Sequence, residues 1–408
     1  PSLDPVPLER RALVVGGGPA GLAAAKCLAA AQIPVTLVEE RPHVGGTLCQ
    51  LPFMFQTEAW PSSCESSCVG PVQAEGALFN DRITIETECR LAAVDKRDGN
   101  FVARLEMAPR FVDADLCISC HRCTEVCPEE TDNPHELGLG RRKAIAKPFA
   151  RAVPDTYTII DRACTRCGDC VPVCPTDAID LEAKPRTETE TFGAVVMATG
   201  TRLRDPGLAP DVSEGNGSAR GVPASDAAPA RKAPASDAAP ARKAPNVITS
   251  LQLERLMERG ELARPSDGEE PEHIVFVQCA GSRAGGDSPR EGVPYCSKTC
   301  CSVTAKQAKR LATTAPMTEV SVVYYRDFRT YERALEKLHQ DLKSMGVEFY
   351  NGEVTAIEQD AGGTLSVQMD ALGTEELEDE GATRQLECDM VVLACAAEPQ
   401  LPGVLSRL

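Results

Sequence analysis

Short apolar runs recur along the chain, each closed by glycine or a polar break, and helix-length amphipathic stretches lie between many of them. Arg11–Val15 predicts a short strand, the alanine-rich stretch to about Ala31 a helix, and Val35–Glu39 the next strand. Ile83–Glu86 and Phe101–Leu105 predict further strands, with a turn at Asp98-Gly99. Thr191–Gly200 (TFGAVVMATG) reads as a buried strand ending in a glycine turn. A second series begins with a helix over Leu251–Arg259 and a strand over His273–Gln278. Cys300–Thr313 predicts a helix, Glu319–Tyr325 a strand, Tyr331–Ser344 a helix and Val347–Tyr350 a strand. Val354–Glu358 and Thr364–Gln368 alternate as a hairpin across Gly362-Gly363, and Asp389–Ala396 is a last buried strand. Strand and helix alternate twice over, which predicts two α/β units.

The pattern lapses in two places. Between Leu203 and Pro245 large apolar residues vanish, and Pro223–Ala233 (PASDAAPARKA) recurs unchanged at Pro234–Ala244. Such a stretch cannot bury a core and reads as a semi-extended linker born of a duplication. The other lapse, about Asp113 to Glu182, holds Cys117-x2-Cys120-x2-Cys123-x3-Cys127-Pro128 and Cys164-x2-Cys167-x2-Cys170-x3-Cys174-Pro175. This spacing holds a pair of [4Fe–4S] clusters in bacterial-type ferredoxins, with the last cysteine of each run crossing to the other cluster. It assigns Cys117, Cys120, Cys123 and Cys174 to one cluster, and Cys164, Cys167, Cys170 and Cys127 to the second. Zinc ribbons use paired C-x2-C knuckles instead. His121, between ligands, reads as a solvent-facing residue.

Composition narrows the function. The 408 residues suffice for two or three domains, and the net charge of −17 argues against nucleic acid and anionic membranes. No apolar run approaches a membrane span. Pro1 to Arg10 is polar and proline-rich, so no leader is expected, and the missing initiator methionine points to a processed or excised chain. Nineteen cysteines suit a reducing, cytoplasmic setting in which thiolates carry metal.

Gly16-Gly17-Gly18-Pro19-Ala20-Gly21 follows a strand and opens a helix, leaving bare backbone where a pyrophosphate meets a helix N-terminus. Glu39 ends the second strand, where a carboxylate accepts from a ribose hydroxyl; Glu40 takes that place if the register slips by one. Gly45-Gly46 and Ala198-Thr199-Gly200 resemble the two-dinucleotide-binding flavoprotein group, which favours FAD over NAD. In the second unit the strand HIVFVQ leads into Cys279-Ala280-Gly281-Ser282-Arg283, and the next helix begins near Cys296-Ser297-Lys298-Thr299-Cys300-Cys301. Four thiols stand where a second pyrophosphate would lie. That disfavours a nicotinamide site and favours a third cluster on Cys279, Cys296, Cys300 and Cys301; adjacent cysteines are awkward for a disulfide. Lys298 and Arg283 flank this group, where they read either as cations that offset a cluster's negative charge and raise its potential or as ordinary surface residues. Cys27, Cys49, Cys89, Cys388 and Cys395 read as packing residues.

QCAGSR, YCSKTCC, YYRDFRTYE, GVEFYNGEV and the stretch NPHELGLGRRKAIAKPFARAVPDTY strongly resemble the A subunit of heterodisulfide reductase, over roughly Arg11 to Pro399. The resemblance implies a thioredoxin-reductase-like α/β flavoprotein with an inserted α+β bacterial-ferredoxin-like domain. It divides the chain into an FAD domain (11–110 and 188–202), the insert (111–187), the linker (203–246), a second Rossmann-like domain with the third cluster (247–385) and a return strand and tail (386–408). It carries the family's flavin-proximal cluster onto Cys279, Cys296, Cys300 and Cys301. It implies an oxidoreductase subunit that passes electrons between FAD and clusters, with sister subunits and a ferredoxin-like carrier as partners. Bifurcation of the flavin's electron pair belongs to the methanogen members. The family's N-terminal cluster domain, its flavin motif after Pro399 and its terminal ferredoxin domain have no counterpart here, so half of the FAD cradle is absent or comes from another chain. Cys64-x3-Cys68 falls where the family also carries a cysteine pair. The competing readings are an NAD(P)H-dependent FAD oxidoreductase like the glutamate synthase small subunit, and a flavin-free cluster relay. No nucleophile–base set is seen or needed for electron transfer.

Overall fold

The computed structural model describes residues 8–52, 74–208, 244–260, 262–285, 291–331, 333–372, 382–400 and 403. The repeat of Pro223–Ala244, except its last residue, lies outside them, as do Cys64 and Cys68; the linker expected over 203–246 is narrower than that, because Ala244 and Asn246 are buried. The chain divides into one unit of Pro1–Met54, Ser62–Thr201 and Pro399–Leu408, and another of Phe55–Pro61 and Arg202–Glu398.

The first unit holds a parallel sheet in the order Ala194–Met197, Ala12–Val15, Val35–Val38, Ile83–Glu86. Its two central strands are buried along their whole length, which is why they read as unbroken apolar runs. The helix Pro19–Ala30 covers one face with Gly21, Leu22, Ala25 and Ala29. On the other face an antiparallel meander of Cys89–Arg97, Asn100–Met107 and Arg186–Phe192 packs Leu91, Leu105 and Phe192 against Leu13, Val15 and Val38. Asp98 and Gly99 turn the first hairpin with φ of 47° and 79°, the primed-turn conformation that matches strand twist. Strand order reverses direction between Ala12–Val15 and Ala194–Met197, so the crevice above them is a topological switch point.

The cysteine-rich segment leaves this frame at one strand end and returns beside it. Met107 pairs with Arg186, and residues 108–185 fill the place of a hairpin turn. An insertion there disturbs no ladder. Its own structure is sparse: short ladders pair Glu130–Asp132 with Arg141–Lys143 and Ile145–Ala146 with Thr158–Ile159, and Val112 bridges to Ile179. Phe111, Val112, Ile145, Tyr157, Ile159 and Ile179 form a small core among the cysteines.

The second unit has a seven-stranded sheet in the order Val247–Thr249, Met390–Cys395, His273–Ala280, Glu319–Tyr324, Glu348–Gln359, Leu365–Ala371, Thr383–Cys388. The first four pairings are parallel and the last two antiparallel. Thr249 caps the helix Ser250–Glu258 in a capping box with Gln252. Several sequence expectations change. Thr191–Gly200, expected as one buried strand, is divided: Thr191 and Phe192 end the meander strand Arg186–Phe192, and Ala194–Met197 is a half-buried edge strand of the parallel sheet. Val347–Tyr350 and Val354–Glu358 are one strand, Glu348–Gln359, whose start pairs with a parallel neighbour and whose end pairs with an antiparallel one. The helix expected from Tyr331 is Arg333–Ser344; Tyr331 has a φ of 57°, which no α-helix admits. Cys89–Arg97 and Thr383–Cys388 are strands that were not expected, because an irregularity between Leu91 and Ala93 breaks the alternation of the first and Arg384 takes a partly covered position in the second.

Candidate redox site

In the insert the structure gathers the cysteines in the crossed grouping. Cys117, Cys120, Cys123 and Cys174 line one cavity with Ile118, Tyr157 and Ile179. Cys164, Cys167, Cys170 and Cys127 line the other with Ile145 and Ile159. Each encloses about 320 Å³ of atom-free space, open mouth included. The two runs share a backbone shape: Ser119 and His121 in the first, Arg166 and Gly168 in the second, all have positive φ on either side of the middle cysteine. Burial, and then the neighbouring Cys117, pushes Cys123 up to about 11. Cys170 is likewise raised by burial. Cys174 is lowered: burial pushes it upward, but the amides of Thr176 and Ala178 outweigh that. Buried thiolates this close repel one another, and bound iron would neutralise that repulsion. Among the described residues no three His, Cys, Asp or Glu side chains converge on a point suited to a single metal ion; a cubane is held around a larger void. His121 is exposed, and its Nδ1 lies 2.6 Å from the Tyr157 hydroxyl.

The second unit brings together Cys279, Cys296, Cys300 and Cys301. Cys301 feels the charges of Cys279 and Cys296 and shares a hydrogen bond with Cys300. That bond pulls Cys301 down and, with burial, pushes Cys300 up. Cys300 and Cys301 begin the helix Cys300–Thr314, whose N-terminus favours negative sulfur. Cys279 is 2% exposed and sits at a φ of 57°. The loop after Tyr324 supplies partners that sequence reasoning left without a role. Arg283 donates to the Tyr325 carbonyl at 2.8 Å and to Asp327 at 2.5 Å, and also reaches Cys279. Arg329 donates to Asp327 at 2.6 Å, and its amide to Cys301. The Tyr331 hydroxyl and the Lys298 amide lie 3.7 and 3.4 Å from the Cys296 sulfur. The signal was the density of Arg, Asp and Tyr in YYRDFRTYE, all of them residues common in solvated loops.

The glycine turn of the first unit lies at the switch point. Gly16 has a φ of 106°, and a side chain there would strike Ala198; one on Gly21 would overlap the Gly16 carbonyl. These two glycines serve packing. Gly18, the helix cap before Pro19 and Ala20, and Gly200, after Thr199, would have nothing within 4 Å of an added Cβ, which is the open approach a dinucleotide needs. Glu39 turns to this loop, its carboxylate accepting from the amides of Gly17 at 2.6 Å and Arg41 at 2.9 Å; Glu40 is exposed. Gly45 and Gly46, both at positive φ, lie beside it, with the Gly45 amide bonded to the Gly17 carbonyl at 2.7 Å. The insert braces this segment: Val44 donates to the Val153 carbonyl, Gln50 to that of His135, and His43 packs edge-on against Phe149.

The remaining cysteines divide. Cys89, Cys388 and Cys395 are buried and Cys49 partly so, but Cys27 is exposed on its helix and packs no core. No helix among the described residues is long and apolar enough to cross a membrane.

Residues 116–179 match the 4Fe-4S dicluster domain, and residues 14–49 the NAD(P)-binding Rossmann-like domain. The chain is 36% identical over 361 residues to the second iron-sulfur A subunit of the CoB--CoM heterodisulfide reductase of Methanopyrus kandleri, covering 87% of this chain and 49% of that one. It is 32% identical over 402 residues to the iron-sulfur A subunit of the CoB--CoM heterodisulfide reductase of Methanocaldococcus jannaschii, covering 97% and 55%. It is 31% identical over 400 residues to the A subunit of the H(2):CoB-CoM heterodisulfide,ferredoxin reductase of Methanothermobacter thermautotrophicus, covering 97% and 54%. The chain thus spans about half the length of the curated relatives it matches. Among solved structures, Lactococcus lactis thioredoxin reductase resembles it at a TM-score of 0.48 and 11% identity, over 98% of this chain and 81% of that one. Over the length it spans, the chain belongs to the A-subunit family of heterodisulfide reductases, a family of iron–sulfur oxidoreductases.

Proposed function

We propose that the chain is the electron-transferring flavoprotein part of a heterodisulfide-reductase-like complex. It would hold FAD at the switch point of the first unit, two [4Fe–4S] clusters in the insert and a third on Cys279, Cys296, Cys300 and Cys301. The observation that carries the reading is the pair of cysteine-lined cavities, each formed by three cysteines of one run and one of the other. When bound, the flavin exchanges electron pairs and the clusters single electrons. The chain's own residues bind and orient. Gly18 and Gly200 leave room for the dinucleotide, Glu39 offers a carboxylate to its ribose, and the apolar walls of the insert shield Cys123, Cys127 and Cys170 from water. Neighbouring subunits and a ferredoxin-like carrier would supply and collect electrons. Division of the flavin's pair between a high- and a low-potential acceptor would extend this role.

Anaerobic purification followed by iron, sulfide and flavin assays tests it. About twelve irons and one FAD per chain are expected. Roughly four irons or fewer would reject the three-cluster scheme. Twelve irons without flavin would select a cluster relay, and flavin bleaching by NADPH in the isolated chain would select the nicotinamide-dependent enzyme.

A further inference from the structure

The cluster proposed for the second unit would carry net negative charge, and each added electron increases it. What surrounds its sulfurs therefore sets how readily it accepts one. The loop after Tyr324 and Arg283 form a connected collar on these cysteines. Asp327 bridges two guanidinium groups, with Arg283 on one carboxylate oxygen and Arg329 on the other. Arg283 is the more buried of the two, its side chain 15% exposed against 44% for Arg329, and it lies against the Tyr325 ring at 5.4 Å. It also keeps a second anchor, the Tyr325 carbonyl, that does not depend on Asp327. Donors from this collar reach three different cysteines: Arg283 at Cys279, the Arg329 amide at Cys301 and the Tyr331 hydroxyl at Cys296.

We propose that Arg283, Asp327, Arg329 and Tyr331 are positioning residues that set the reduction potential of a cluster held by Cys279, Cys296, Cys300 and Cys301, with Arg283 raising it and Asp327 limiting the rise. The inference rests on the third-cluster reading above. Its sign follows from Coulomb's law. A cation beside the sulfurs stabilises the reduced cluster more than the oxidised one, and a carboxylate does the reverse. Arg283 acts most strongly because it is the least solvated, whereas the exposed Arg329 is screened. The step is a one-electron reduction by a chemical titrant such as dithionite; no bond to the collar forms or breaks and no proton is required.

The test is an anaerobic potentiometric titration of the full chain followed by electron paramagnetic resonance. The wave that disappears in Cys296→Ala identifies the third cluster. Arg283→Gln is expected to lower its midpoint and Asp327→Asn to raise it, with iron content unchanged in both. Tyr331→Phe is expected to lower it by less, and Arg283→Lys to restore most of what Arg283→Gln loses. A residue that merely holds the loop in shape would shift both variants the same way or lose iron from both. Full iron content with both midpoints unmoved, or moved in one direction, overturns the collar. A native protein in which Cys296→Ala removes neither iron nor a wave overturns the third-cluster reading itself.

Discussion

The two units run the same strand plan to different chemical ends. Each lays parallel strands in the spatial order three, two, one, four, goes through an antiparallel meander and returns to a strand beside the first. In the first unit the turn after the leading strand is short and glycine-built, and the helix starts at Pro19, four residues past Val15. In the second the strand His273–Ala280 runs into a loop that reaches its helix only at Cys300. Bare backbone at a helix N-terminus favours a phosphate, whereas thiols there favour a metal. The meanders differ as well. The first is opened between Met107 and Arg186 by the cysteine-rich insert, while the second has only residues 372–382 between the corresponding strands. A Rossmann-like frame fixes where a site is placed, and loop residues decide which cofactor occupies it.

The largest way to break this comparison is to remove sulfur from the second loop. Cys300→Ala is expected to cost about four irons per chain while leaving flavin content and the insert's iron in place. Iron and flavin assays on the purified variant decide it; unchanged iron would mean that the two loops differ in sequence but not in the kind of ligand held.

The next effect comes from the first loop. A Cβ on Gly21 would overlap the Gly16 carbonyl, so Gly21→Ala must push the helix away from the sheet. A loss of about 1–3 kcal/mol is expected, as for other overpacked sites, with flavin released and the second unit's iron retained. Denaturant melts and flavin assays of the variant check this. Retention of both flavin and stability would show that the helix can slide, and that the glycine turn is less constrained than its geometry indicates.

Gly21 and the insert's cysteines were legible in the sequence because each is tied to a spacing, whereas Cys300 was read from its place after the strand HIVFVQ and from the family resemblance. Glycines at fixed offsets after an apolar strand, and cysteines at fixed offsets before proline, leave few physical alternatives. Buried parallel strands such as Ala12–Val15 were legible for a similar reason, since both faces must be apolar. Cys89–Arg97 was not, because a strand with one wet face and a bulge at Ala92 breaks strict alternation. Arg283 was legible as a cation beside the cysteines, but its link to Asp327 and Arg329 was not, for another reason. Arg283 and Asp327 stand 44 residues apart in the chain, and only the fold brings them together. The bracing of the Gly45-Gly46 segment by Phe149 and Val153 is of the same kind.

That bracing gives the smallest prediction and a test of whether the insert stabilises the first loop. His43 is buried against Phe149, and burial pulls its pKa from 6.5 to about 4; the Val44 carbonyl pulls weakly the other way and Arg41 adds to the fall. A base lowered on folding binds fewer protons folded than unfolded between those two values. Its stabilisation is therefore complete above about pH 6.5 and is lost as pH falls toward 4. From neutrality to about pH 5 the loss amounts to about 2 kcal/mol. Glu88 works against it: burial raises this carboxyl from 4.5 to about 7, so its share is lost as pH rises through that range. The whole protein's stability can thus be flat with pH while both terms operate, and the informative quantity is the difference between native protein and His43→Leu. That difference should shrink by about 2 kcal/mol as pH drops from neutral to about 5 in denaturant melts. A difference constant across that range would mean that His43 is protonated or solvated in the folded state, and that the contact with Phe149 does not hold the glycine loop against the insert.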